Sequence, residues 1–97
     1  MPTYVTLVRY TEQGIRTIKE GPARLEAFKK ALKAAGGEMK GFYLAMGKYD
    51  AIVISEGPND ETATKVSVSI AMLGNVRTET TRVFDEGEFR KLVASLP

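Results

Sequence analysis

Few side chains in this sequence are equipped for chemistry, and they are scattered. Tyr49-Asp50 sets a phenol beside a carboxylate just after Gly47-Lys48. Such a pair can hold a ligand or share a proton at a pocket mouth. The plainer role has Asp50 satisfying turn amides and Tyr49 packing at a sheet edge. Tyr43 sits in mid-run among apolar residues. A buried tyrosine hydroxyl needs a partner, which is a ligand, a backbone group or water. Arg9, Glu79 and Arg82 fall on two runs that read as neighbouring strands. An arginine in a cleft can hold a carboxylate or stabilise an oxyanion. The simpler alternative is a cross-strand ion pair or a salt bridge between subunits.

What the chain lacks narrows the chemistry further. Its 97 residues contain neither histidine nor cysteine. That removes Ser-His-Asp and Cys-His nucleophiles, disulfides, and thiolate or imidazole metal sites. Asp60-Glu61 reads as helix capping, and no carboxylates converge with hard-metal spacing. No metal and no cofactor is therefore expected, and no catalytic residue is assigned. Lys29, Lys30 and Lys33 form a solvated helix face, without a Walker motif or a GxGxxG loop. Fourteen cations against 12 anions leave a net charge of +2, too small to point to a nucleic-acid partner. No apolar run approaches the roughly 18 residues of a membrane span. The chain opens Met-Pro-Thr-Tyr-Val, without the basic and apolar regions of a leader. A cytoplasmic protein is expected.

The elements that must position these side chains follow from periodicity. Residues 3–10 alternate as a strand, with Val5, Leu7 and Arg9 on one side and Tyr4, Thr6, Val8 and Tyr10 on the other. Thr11 is a suitable N-cap for a short, irregular helical piece over 11–19, pinned by Ile15 and Ile18. Pro22 fits a first helical position. Leu25, Phe28, Leu32 and Ala35 then give a buried stripe, supported by Glu26 and Lys30, until Gly36-Gly37 stops the helix. Residues 39–46 and 49–56 read as a hairpin. With an even loop, Phe42, Leu44, Met46, Tyr49, Ala51 and Val53 share one face. Met39, Tyr43, Ala45, Asp50, Ile52 and Ile54 share the other. Asn59 caps a second helix whose stripe is Ala63, Val66, Ser67, Ile70 and Leu73, ended by Gly74-Asn75. Residues 76–84 form a fourth strand. Asp85 and Glu88 have the spacing of a capping box ahead of a short terminal helix carrying Phe89, Leu92, Val93 and Leu96.

Strand, helix, strand, strand, helix, strand is an α+β order. With right-handed crossovers it predicts one ferredoxin-like domain over residues 1–97, with both long helices on one sheet face. The second face is also apolar. A second copy packed against it would make a dimeric α/β barrel, and the alternative is a monomer covered by its own terminal helix.

The run Gly47-Lys48-Tyr49-Asp50-Ala51-Ile52-Val53-Ile54-Ser55-Glu56-Gly57-Pro58-Asn59-Asp60 resembles the signature of the GYD-domain family. So do Thr11-Glu12-Gln13-Gly14, Arg24, Gly36-Gly37 and Gly74-Asn75-Val76-Arg77-Thr78. Gly57 stands where that family often has alanine. The resemblance implies a ferredoxin-like, dimeric barrel and says little about activity. The functional expectation is a homodimer, or higher homo-oligomer, that binds a small apolar or aromatic molecule between sheet and helices. The candidate ligand contacts are Tyr43, Asp50, Tyr49, Arg9 and Arg82. The alternative is a non-catalytic ligand-sensing or assembly module acting through protein partners. RNA binding is disfavoured, because 49–56 lacks the basic, glycine-containing aromatic motif of an RRM strand.

Overall fold

A computed structural model describes residues 1–97. Its elements run β1 (Thr3–Tyr10), α1 (Glu12–Arg16), a 3-10 turn (Ile18–Glu20), α2 (Gly21–Ala34), β2 (Glu38–Leu44), β3 (Ala51–Glu56), α3 (Asp60–Ala71), β4 (Val76–Val83) and α4 (Glu86–Ala94). One sheet of order β2-β3-β1-β4 is antiparallel throughout. This is the ferredoxin-like α+β fold expected from the order of elements.

Local chemistry accounts for most boundaries. The Thr11 hydroxyl accepts from Gly14 N at 3.0 Å and starts α1. Asn59 accepts from Thr62 N at 2.9 Å and starts α3. Asp85 and Glu88 close a reciprocal capping box at α4. Pro22 lies in the first turn of α2, where a missing N–H costs nothing. Past the Ala35 cap of α2 stands Gly36, whose φ of 85° is a left-handed conformation that favours glycine.

Tyr4, Thr6 and Val8 of β1 face the helices and are buried. They lie on the same side as Ala51, Val53 and Ser55 of β3. Phe28, Met39, Phe42 and Val76 pack around Val8, Ala51 and Val53. From the helices, Leu32 and Val66 complete the buried set. On the other face Val5, Leu7, Ile52 and Ile54 stay only half-buried. The terminal helix does not cover them: Phe89, Leu92, Val93 and Leu96 are all exposed.

Four local expectations are corrected. The register of β2 against β3 slips between Met39 and Gly41, and this bulge turns Met39 onto the helix side. Lys40, at the bulge, lies 3.3 Å from Glu38 and 3.7 Å from Glu56. The hydrogen bond and charge of Glu38, followed by the charge of Glu56, raise its pKa. Ile15 and Ile18 are exposed, so they do not pin the α1 region. Lys29, rather than Lys30, pairs with Glu26 at 3.3 Å. Finally, the strands of the hairpin stop at Leu44 and restart at Ala51, leaving Tyr49 in the connection.

Candidate functional site

One end of the molecule is held by a set of directed contacts between segments far apart in sequence. Thr11 N donates to Asn75 O at 3.1 Å, and the Thr11 hydroxyl donates to Gly74 O at 2.6 Å. The Gln13 amide donates to Leu73 O at 3.2 Å and to Asn75 Oδ1 at 2.9 Å. Gly14 packs against the same turn so closely that a Cβ there would lie 1.9 Å from Asn75 O. Arg24, on α2, donates to Gly14 O at 3.2 Å, to Thr17 O at 3.1 Å and to the Thr17 hydroxyl. Asp50 joins from the hairpin, its carboxylate accepting from Tyr10 N at 2.8 Å while its own N–H donates to Val8 O. These contacts satisfy backbone groups that the ends of β1, β3 and α1 would otherwise leave unpaired.

Beside this framework, between the sheet and α2, lies an apolar cavity of about 380 Å³. Its walls include Val8, Phe28, Phe42, Val53, Ile70 and Val76. Tyr10, Arg24 and Asn75, all members of the framework, also line it. The size is that of a small-molecule site, and the wall chemistry is mostly hydrocarbon with few polar groups. The guanidinium is the one charged side chain in the wall.

Of the residues singled out in sequence, Arg9, Tyr49 and Glu79 come together, and Asp50 and Arg82 do not join them. Tyr43 is 60% exposed on the open sheet face, paired with Ile52, its ring lying over Gly41. Tyr49 lies by that same face: Arg9 stacks over its ring at 4.9 Å and its hydroxyl donates to Glu79 at 3.1 Å. Asp50 is spent on the backbone amide of Tyr10. Arg82 is on the helix side, opposite Tyr4 in the register. It stacks over Phe84 at 4.5 Å and reaches Glu88 at 3.9 Å. Arg9 and Arg82 are thus on opposite faces of the sheet and cannot share a ligand.

Sequence reasoning misses two features. Tyr10 and Arg24 reach the cavity, and only Arg24 is marked in sequence, through the family pattern. The other is the buried Tyr4 hydroxyl, which donates to Asp60 Oδ1 at 2.6 Å. Burial chiefly, with the hydrogen bond and charge of Asp60 adding to it and Arg82 opposing, raises the Tyr4 pKa above its ordinary 10.0. The signal is there to be read: Tyr4 lies on the inward set of β1, where a phenol must find an acceptor.

Comparison with known proteins gives the family and the fold. Residues 4–93 match the GYD domain. A curated relative from Thermus thermophilus, described as a glutamine synthetase and cystathionine beta-lyase binding protein, is 27% identical over 81 residues. The match covers 82% of this chain and 85% of the relative. A crystal structure of a T. thermophilus protein is 24% identical, with a TM-score of 0.56 over 88% of this chain and 95% of that one. The feast or famine regulatory protein of Mycobacterium tuberculosis, solved with L-methionine, superposes with a TM-score of 0.66 at 15% identity. That match covers 88% of this chain and 51% of the regulator. The chain spans about half the length of that regulator, and at such identity the likeness is one of fold.

Proposed function

The chain belongs to the GYD-domain family, and on that premise we propose that it is a homodimeric α/β-barrel protein that binds a small apolar or aromatic molecule between sheet and helices. The observation that carries this reading is the convergence at the cavity. Segments of the family pattern that are distant in sequence (Thr11–Gly14, Arg24 and Gly74–Asn75) bond to one another, and Arg24 and Asn75 among them line the hydrocarbon-walled space of about 380 Å³. A bonded framework beside a pocket pre-orders its walls, which lowers the ordering cost of binding.

The candidate contacts Tyr43, Tyr49 and Arg9 belong to this reading as ligand or partner contacts on the open face, where a second subunit would meet them. Asp50 would act by supporting Tyr10 at the cavity rim, and Arg82 would serve a separate groove on the helix side. No metal or cofactor enters the proposal.

Native mass spectrometry of the purified full chain tests it. The expected result is a dimer carrying a discrete non-covalent mass. Ala27→Trp, which adds a large ring on the α2 wall, should release that mass and leave the dimer intact. A ligand retained unchanged by Ala27→Trp would move the site elsewhere. A monomer without ligand would sink the reading. The second reading, an assembly module acting through protein partners, is favoured by the Thermus relative, whose description names two enzymes that it binds.

A further inference from the structure

β4 is a terminal strand of the sheet. Hydrogen bonds on the two sides of β1 decide which of its amides are free. Val8 O accepts from Asp50 N, and Tyr10 N donates to Asp50, so the even-numbered residues of β1 turn their backbones toward β3. Thr11 N donates to Asn75 O on the β4 side. The odd-numbered residues Val5, Leu7 and Arg9 therefore bond their register partners Thr81, Glu79 and Arg77. Thr78, Thr80 and Arg82 in turn aim their N–H and C=O groups away from the sheet.

The side chains of those same three residues line a groove of about 550 Å³ between β4 and α3. α3 contributes Ala63, Ser67, Val68 and Ala71, mostly short side chains that leave room for another strand. Arg82 enters the groove from the helix side, and Arg77, which leaves β4 on the open face opposite Arg9, borders it five residues earlier along the strand. The one carboxylate in the lining, Asp60, already accepts from Tyr4 at 2.6 Å. Arg82 Nε is buried without an acceptor, although another nitrogen of the same guanidinium reaches Glu88 at 3.9 Å. β4 has no proline, no lysine and no bulge in its pairing with β1, and the charges along it are Arg77, Glu79 and Arg82.

We infer that this groove takes an extended, acidic peptide segment of a partner protein, added to β4 as a fifth strand. The exposed amides supply main-chain pairing. Alternate side chains of the segment enter against Val68 and Ala71, and carboxylates at its ends meet Arg77 and Arg82. Those arginines are separated by about 16 Å of strand, so the recognised stretch is about six residues long. A second copy of β4 is the poorer occupant, since it would bring its own Arg77 and Arg82 into an already cationic groove. The groove shares only Thr78 with the apolar cavity, and the inference stands or falls independently of the ligand proposed there.

Amide hydrogen exchange by NMR on the full chain tests the inference. The probe is the capped peptide acetyl-Glu-Thr-Val-Thr-Val-Glu-amide, beside its counterpart with lysine in both glutamate positions. The acidic peptide at saturation should slow exchange of the Thr78, Thr80 and Arg82 amides at least tenfold, and the lysine peptide should not. Thr80→Pro deletes one outward N–H and spares the β1 ladder, so it should weaken binding at least tenfold. Thr80→Val loses the same hydroxyl contacts to Thr6 and Ser67 but keeps the N–H, and should still bind. If the proline variant does not fold, Arg82→Gln should weaken binding and reduce its dependence on salt. Equal protection by both peptides, or none by either, would overturn the inference. So would amides already protected in the free protein, since that outcome puts a second copy on β4.

Discussion

Tyr4 shows how one residue couples the sheet to a helix. Its ring lies under α3 and its hydroxyl donates to Asp60, which sits in the first turn of that helix just after the Asn59 cap. The donor is neutral only while protonated, and the raised pKa means the folded protein holds that proton beyond pH 10.0. The unfolded chain loses it first. Where the unfolded state binds fewer protons, stability falls with rising pH. The contribution of neutral Tyr4 is thus complete below pH 10 and is lost as pH climbs from there through the raised value. Tyr4→Phe should lower stability at neutral pH by about 1 kcal/mol, since it removes a hydrogen bond and leaves Asp60 nearer water. It should also remove part of the alkaline slope. Urea unfolding from about pH 8 to about pH 11 measures both, and an unchanged slope in the variant would show that Tyr4 is not the titrating group.

Among the elements, the decisive junction is that of α1 with the α3–β4 turn. Gly74 has a φ of 83°, and the turn it makes presents Asn75 O to both Thr11 N and Gly14. A methyl group on Gly14 would meet that carbonyl at 1.9 Å, and the carbonyl cannot retreat without breaking its bond to Thr11. Gly14→Ala should therefore cost about 3 kcal/mol, a drop of roughly 12–24 °C in melting temperature for a domain this small. Gly21→Ala is the control. Its Cβ would find only an ordinary contact with Ile18 at 3.6 Å, and the melting temperature should stay within a few degrees. Differential scanning calorimetry compares the two. Such junctions are largely hidden in the sequence, whereas the elements are not. Alternation separates the inner and outer sets of β1, and the caps at Thr11, Asn59 and Asp85 mark helix starts, because these are local signals. The bulge at Lys40 is invisible to alternation, which therefore puts Met39 on the wrong face. Tyr49 has the composition of a strand residue, yet the irregular connection at 45–50 leaves it by the open face. The opposite placement of Arg9 and Arg82 depends on the register of β4 against β1, which neither strand encodes alone.

For the whole molecule, the chain exposes more surface than its size predicts. A compact monomer of 10.6 kDa should expose about 5,500 Å², and this one exposes 6769 Å². Its radius of gyration is 14.7 Å, against about 12.5 Å for a typical domain of this length. The excess surface, about 1,300 Å², exceeds the roughly 800 Å² that one partner contributes to a standard interface. The apolar face of α4 and the half-buried row of Val5, Leu7, Ile52 and Ile54 are where that surface lies open. A twofold dimer packed through the open sheet face brings Leu7 of each copy into the interface. Leu7→Lys tests this sharply, because the monomer should tolerate it: Glu79, the register partner of Leu7, offers the new ammonium an ion pair on an exposed surface. In a face-to-face dimer the same lysine would be buried twice, once from each copy, at a cost of about 3 kcal/mol or more. Dimer affinity should fall more than about a hundredfold, so sedimentation equilibrium should find the 10.6 kDa chain where the parent gives twice that mass. Circular dichroism should stay unchanged. A variant that remains dimeric would remove the open sheet face from the interface and leave α4 or the β4 edge as the surface that joins the copies.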